Sequence, residues 1–87
     1  MIICKVIGNV WATRKEEALN GLKLMIVCRM DITTEQEHES FVAVDCVGAG
    51  IGEPVLVVTG SSARKAFDNP NIPVDAAIVG IIDGSES

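Results

Sequence analysis

Three cysteines, one histidine, a serine pair and a run of closely spaced glycines are the residues of this chain that could do chemistry. The glycines fall in Asp45-Cys46-Val47-Gly48-Ala49-Gly50-Ile51-Gly52. Such a run could be a phosphate loop, where backbone N–H groups and the positive end of a helix dipole receive an anion. A dinucleotide-binding turn, however, must follow a strand and open a helix. Here Glu53-Pro54 leads instead into the strand-like Val55-Leu56-Val57-Val58. The glycines therefore read as a response to backbone crowding, inside the fold or where copies of the chain meet. Each one removes a side chain and admits backbone angles and close approaches that other residues resist.

The remaining candidates form no catalytic or metal-binding constellation. Cys4, Cys28 and Cys46 are odd in number, far apart and set in apolar runs, with no Cys-x-x-Cys pair. They are expected to be buried, reduced thiols, and no metal or cofactor is expected. Neither Cys46 nor Ser62 has a candidate base, because His38 is the sole histidine and lies in a Glu-rich stretch. Burial in an apolar strand would in addition leave the Cys46 thiol inert. Ser61 or Ser62 is placed to cap a short helix. An anion site at the same serines is the functional alternative.

The elements that must position these residues are mostly strands. Five segments are rich in β-branched residues and bounded by turn chemistry, at residues 2–13, 23–32, 40–47, 54–59 and 76–83. Residues 14–21 form a polar connection ending in Asn20-Gly21, a pair suited to left-handed backbone angles. Residues 33–39 are acidic and read as the exposed, solvated tip of a hairpin. Gly60-Ser61-Ser62-Ala63-Arg64-Lys65-Ala66-Phe67 changes to a helical period, and Asp68-Asn69-Pro70 stops the helix early. A frayed polar tail follows Asp83.

Composition bounds the rest. Eighty-seven residues make one domain, near the lower limit for folding without staples. Hydrophobic residues reach 48%, yet a domain of this size hides only about 60% of the surface its unfolded chain exposes. The strands are also apolar on both faces. Ile2, Cys4, Val6 and Val10 oppose Ile3, Ile7 and Trp11 in the first, and Ala76-Ala77-Ile78-Val79-Gly80-Ile81-Ile82 is apolar throughout. An all-β, five-stranded small barrel uses one face of each strand, and one short helix cannot cover the other. Neighbouring subunits can, so an obligate oligomer is expected. The net charge of -5 and the three aromatics, Trp11, Phe41 and Phe67, argue against nucleic acid as a partner. No signal peptide and no apolar stretch of membrane-spanning length is read in the sequence, so no membrane partner and a cytosolic location are expected.

Four pieces of the chain, in order, resemble the EutN/CcmL family of bacterial microcompartment vertex proteins. They are Gly8-Asn9-Val10-Trp11-Ala12-Thr13-Arg14-Lys15 with Leu19-Asn20-Gly21-Leu22-Lys23-Leu24, then Val44 through Val57 with the glycine run, then Gly60-Ser61-Ser62-Ala63-Arg64, then Pro73-Val74-Asp75 leading into residues 76–83. The resemblance spans nearly the whole length. It implies an OB-like five-stranded β-barrel with one short helix. It also implies a cyclic homopentamer at the five-fold vertices of a polyhedral shell, beside hexamer-forming shell proteins, with a structural rather than catalytic role.

Carried onto this chain, the resemblance implies that Gly48, Ala49, Gly50, Ile51 and Gly52 lie at or near the ring axis. Gly60, Ser61, Ser62, Ala63 and Arg64 would contribute to the subunit interface, together with Asp75, Ala76, Ala77, Ile78, Val79, Gly80, Ile81 and Ile82. Arg64 and Asp75 are candidate polar partners, within the subunit or across the ring. The alternatives are an OB-type ligand or nucleic-acid module, which the acidity and scarce aromatics disfavour, and an axial opening that gates small metabolites.

Overall fold

The computed structural model describes residues 1–10, 19, 21–31, 36–66 and 73–83. The strands are β1 (Ile2–Asn9), β2 (Leu24–Asp31), β3 (Gln36–Asp45), β4 (Pro54–Thr59) and β5 (Ala76–Ile81), with one helix, α1 (Ser61–Lys65), between the last two. They close into a barrel in the order β1-β2-β3-β5-β4, with β4 pairing back to β1. All pairs are antiparallel except β3–β5, which is parallel and joins only Val44 to Ala77 and Asp45 to Ile78. Parallel neighbours need a long crossover. The chain through β4 and α1 supplies it.

Alternation along the strands sends Cys4, Val6, Met25, Val27, Ala43, Val55, Val57, Ala76 and Ile78 into one core cluster, with Ala49 joining from the glycine loop. Met25 and Ile78 are the largest of these fully buried side chains, as suits a barrel whose interior is filled by side chains rather than by a ligand. Cys28, Val44, Ala63 and Ala77 are equally buried but stand outside that cluster. They form an outer layer. Helix α1 lies against β4 and β5, and the segment Pro73 to Asp75 closes a small hollow of about 170 Å³ with Leu24 and Val44. The chain thus covers part of its outer apolar face itself.

Several expected boundaries move. A bulge between Val6 and Gly8 pairs Gly8 with Ile26, next to the core residues Met25 and Val27, so Gly8 lies on the outer face and Val10 does not continue the inward series of Cys4 and Val6. The acidic hairpin tip is shorter than residues 33–39, because β3 begins at Gln36 and pairs Gln36 with Asp31 and Glu37 with Met30. A backbone ladder satisfies N–H and C=O groups whatever the side-chain polarity, so polar residues extend the hairpin. Neither serine caps α1. Gly60 is the N-cap at φ 66°, with no side-chain cap bond, and Ser61 and Ser62 are the first two helical residues. The turn from β4 into α1 needs a left-handed residue at that point, which glycine adopts without steric cost.

The expected continuation of β1 through residues 11–13, with Trp11, lies outside the described residues, as do residues 14–18 and Asn20 of the polar connection, hairpin residues 32–35, Phe67 with the Asp68-Asn69-Pro70 stop, and residues 84–87. Within that connection Gly21 does take a left-handed angle, φ 83°.

Candidate functional site

The glycine run is a loop of dense internal bonding at one end of the barrel. It starts from Asp45, the last residue of β3, whose backbone is held by the Lys23 carbonyl at 2.9 Å and whose side chain is fully buried. One carboxylate oxygen of Asp45 accepts the N–H groups of Val47 and Gly48, both at 3.0 Å, and the other accepts that of Ala49 at 2.8 Å. Lys23 Nζ stands 3.5 Å from the same carboxylate and donates to the Ala49 carbonyl at 3.2 Å. Glu53 Oε1 accepts the Gly50 N–H at 2.6 Å, and the Glu53 N–H returns to the Gly50 carbonyl at 3.2 Å. Gly52 donates to the Val6 carbonyl at 2.7 Å, and Val6 donates to the Glu53 carbonyl at 3.0 Å, tying the loop to β1.

Two of the glycines are required by backbone angle, Gly48 at φ 81° and Gly52 at φ 92°. Gly50 is different. A Cβ there would meet Glu53 Oε1 at 3.1 Å, so it makes room for the carboxylate that binds its own N–H. Within the single chain the run thus answers to backbone angle at Gly48 and Gly52 and to room for the Glu53 carboxylate at Gly50, not to backbone crowding, since a Cβ at Gly48 or Gly52 would meet nothing within 4 Å. Ala49 turns inward and is fully buried, plugging the barrel end, while Ile51 is 62% exposed. Of the five residues assigned to an axis, Ala49 therefore has no side chain free to line one.

Cys46 departs from expectation. It follows β3 rather than lying within it, and it is exposed, whereas Cys4 and Cys28 are buried. Its N–H still reaches the Ile78 carbonyl at 3.1 Å, but the strand has ended and the side chain leaves the sheet. Partial burial of the sulfur and the adjoining Asp45 carboxylate raise the Cys46 thiol pKa. Burial, followed by the neighbouring Cys28, pushes Cys4 up to about 11.

At the opposite end, where β1 begins and β4 ends, the barrel is open. Ile2, Arg29, Glu39, Phe41, Val42 and Asp75 line much of a groove of about 880 Å³. It opens because β3 meets β5 over only two residue pairs and is unsupported on that side before Val44. Val42 is 47% exposed there.

The thirteen residues assigned to an interface split by burial. Ala63, Ala76, Ala77 and Ile78 are buried within the single chain, so their side chains belong to its own packing and offer nothing to a neighbour. Gly60, Ser61, Ser62, Asp75 and Ile81 are exposed, and Arg64, Val79, Gly80 and Ile82 are half-buried. Gly80 stands against Leu56, to which a Cβ would come within 3.4 Å. Arg64 donates to the Val74 carbonyl at 3.4 Å rather than to the Asp75 side chain, and the Asp75 carbonyl accepts the Gly60 N–H at 2.8 Å. Sequence reasoning missed Lys23, Asp45, Glu53 and Val42. Two of them had a signal: Asp45, three residues before Gly48, and Glu53, three residues beyond Gly50, are spaced to take backbone N–H groups. Among the described residues no group of three or more His, Cys, Asp and Glu side chains is placed to hold a metal.

The strand order, the single parallel seam and the filled interior define a small closed barrel of the OB-like kind. The family model for ethanolamine utilisation protein EutN/carboxysome proteins matches residues 1–83, and the chain belongs to this EutN/CcmL family. It is 45% identical over 87 residues to the bacterial microcompartment shell vertex protein GrpN of Rhodospirillum rubrum, covering 100% of this chain and 98% of the relative. It is 46% identical over 83 residues to the carboxysome shell vertex protein CcmL of Synechocystis, covering 95% and 83%. The solved structure of the GrpN pentameric microcompartment shell protein superposes with a TM-score of 0.87 over 100% of both chains.

Proposed function

We propose that this protein is a structural vertex protein of a bacterial microcompartment, a cyclic homopentamer that sits at five-fold positions of a polyhedral shell in the cytoplasm. The observation that carries this reading is the likeness, over the full length of both chains, to a protein described as a pentameric shell protein. The barrel's two unlike apolar ends support it. Ile7, Val47, Ile51 and Ile81 are exposed at or near the glycine-loop end, while Val42 and the half-buried Ile2 and Phe41 mark the groove end. A head-to-tail ring needs two different patches on each subunit.

In this reading Gly48, Gly50, Ile51 and Gly52 lie at or near the axis, and Gly60 to Ser62, Arg64, Asp75 and Val79 to Ile82 face the neighbouring subunit. Arg64 and Asp75 then pair across the ring, since they do not pair within the chain. Hexamer-forming shell proteins are the partners at the ring's rim, and the role is closure of the shell rather than catalysis. Passage of small metabolites along the axis is a subordinate function of the same ring. Native mass spectrometry tests the copy number. A species at five times the 9.2 kDa chain, about 46 kDa, is the expected result, and a stable monomer at micromolar concentration overturns the reading.

A further inference from the structure

We propose that the Asp45 carboxylate is the resident anion of the glycine loop, a positioning residue that fills the loop's backbone nest and closes it to anions from outside. Successive N–H groups that converge across a right-handed to left-handed turn make an anion-binding concavity. Val47, Gly48 and Ala49 form such a concavity, and the left-handed φ of 81° at Gly48 is what lets their N–H groups converge. In a phosphate loop that seat is empty until a ligand arrives. Here it is taken by the chain's own carboxylate, bonded at 3.0, 3.0 and 2.8 Å.

Three observations make this an assigned occupant rather than a passing contact. The Asp45 side chain is fully buried while its partner Lys23 is 54% exposed, so the negative group is sealed inside and its counter-charge closes the mouth. Its backbone is fixed by the β3–β5 seam and by the bond to the Lys23 carbonyl, which holds the Cα of Asp45 beneath the loop its carboxylate fills. The next donor, Gly50 N–H, is held by a second carboxylate, Glu53. From Cys46 to Gly50 every N–H is bonded inside the chain. The glycine run therefore has the form of an anion loop without the capacity of one. The assignment stands on the single chain. If the loop lies at the ring axis, the rim offers passing anions no vacant donors along that stretch.

Hydrogen exchange on Asp45→Ala, with and without sodium formate, tests it. Formate supplies the missing carboxylate and fits the space left by truncation. The expected result is that the amides of Val47, Gly48 and Ala49 exchange at least about tenfold faster in the variant. Those of Val6 and Ile78 should lose less protection than the three loop amides, and no more than the drop in global stability read from urea unfolding. Formate should restore much of the loss, sodium chloride at equal ionic strength should not, and the wild-type chain should respond to neither. Unchanged exchange at the three amides, or a loss that formate does not reverse, overturns the proposal. Should Asp45→Ala fail to fold, Asp45→Asn decides. It keeps one oxygen for Val47 and Gly48 and turns an amide toward Ala49, so Ala49 alone should lose protection; an equal change at all three, or none, overturns the assignment. Native mass spectrometry of the same samples reads the ring separately, so a monomeric wild type with intact formate rescue would sink the pentamer and leave the nest standing.

Discussion

The two ends of the barrel are closed by different means. At the glycine-loop end, nine residues from Asp45 to Glu53 fold back on themselves, two carboxylates take four backbone N–H groups, and Ala49 plugs the core. At the other end β3 and β5 do not pair, because their seam is confined to Val44–Ala77 and Asp45–Ile78 beside the loop, and a groove of about 880 Å³ remains. The difference is one of sequence separation. Loop closure over a few residues costs little entropy, so local carboxylates can finish the first end. The second end is assembled from the start of β1, the middle of β3, the β4–α1 turn and the segment before β5, and no local segment of the described chain fills it. In the proposed ring the self-finished end keeps its shape as subunits join, and the unfinished end receives the neighbour.

Substitutions at the two ends should therefore fail differently. The largest effect is expected at the groove. Val42→Asp puts a charge on an exposed position that the single chain tolerates but a neighbour would bury, at a cost of about 3–5 kcal/mol per interface. Native mass spectrometry should show the 46 kDa species replaced by folded monomer, and an undisturbed ring would remove Val42 from the interface. Asp45→Ala should act on the chain itself, lowering urea-unfolding stability by about 2–3 kcal/mol as three charge-assisted bonds vanish.

Smaller losses are expected from the loop glycines. Gly48→Ala and Gly52→Ala should each cost about 1–2 kcal/mol, since both residues hold left-handed angles that an L side chain resists. Thermal unfolding would register either. Gly50→Ala should cost only about 0.5 kcal/mol in the single chain, because the Glu53 carboxylate that its Cβ would meet is the end of a flexible side chain. A much larger loss of ring than of chain stability in Gly50→Ala would locate crowding between subunits, sharpening the axial placement. The mildest probe leaves the protein unmutated at the loop. In the monomeric Val42→Asp background Cys46 should alkylate under native conditions, while Cys4, buried and with its pKa near 11, should react only on unfolding.

Much of this architecture could be read from residue types. The five strands, the short helix and the barrel were legible because β-branched alternation and Gly/Pro punctuation act locally. The same local reading misjudged Gln36 to Glu39, where charge suggested a solvated tip and the β2 ladder supplied a strand. It placed the helix cap on a serine, when the tight exit from β4 demanded a left-handed residue at Gly60. It buried Cys46 one residue beyond the end of its strand. Side-chain burial inside the segments expected at an interface was not legible. Ala63 and Ala77 are apolar in a segment assigned to assembly, yet they are covered by the chain's own helix-on-sheet layer.

What followed from the chain's chemistry alone was the class of fold and the demand for a partner. Periodicity, turn residues and apolar content depend on covalent structure and transfer free energy, and both are present before folding. Which apolar faces stay exposed depended on tertiary closure, because a strand's outer face is wet or dry according to what crosses it. The glycine run is the sharpest instance. The strand that follows it already argued against an anion loop, but what fills the nest was chosen only when a buried Asp45 carboxylate arrived there, sealed by Lys23 from the edge of β2. That choice needed β2, β3 and the loop in one place.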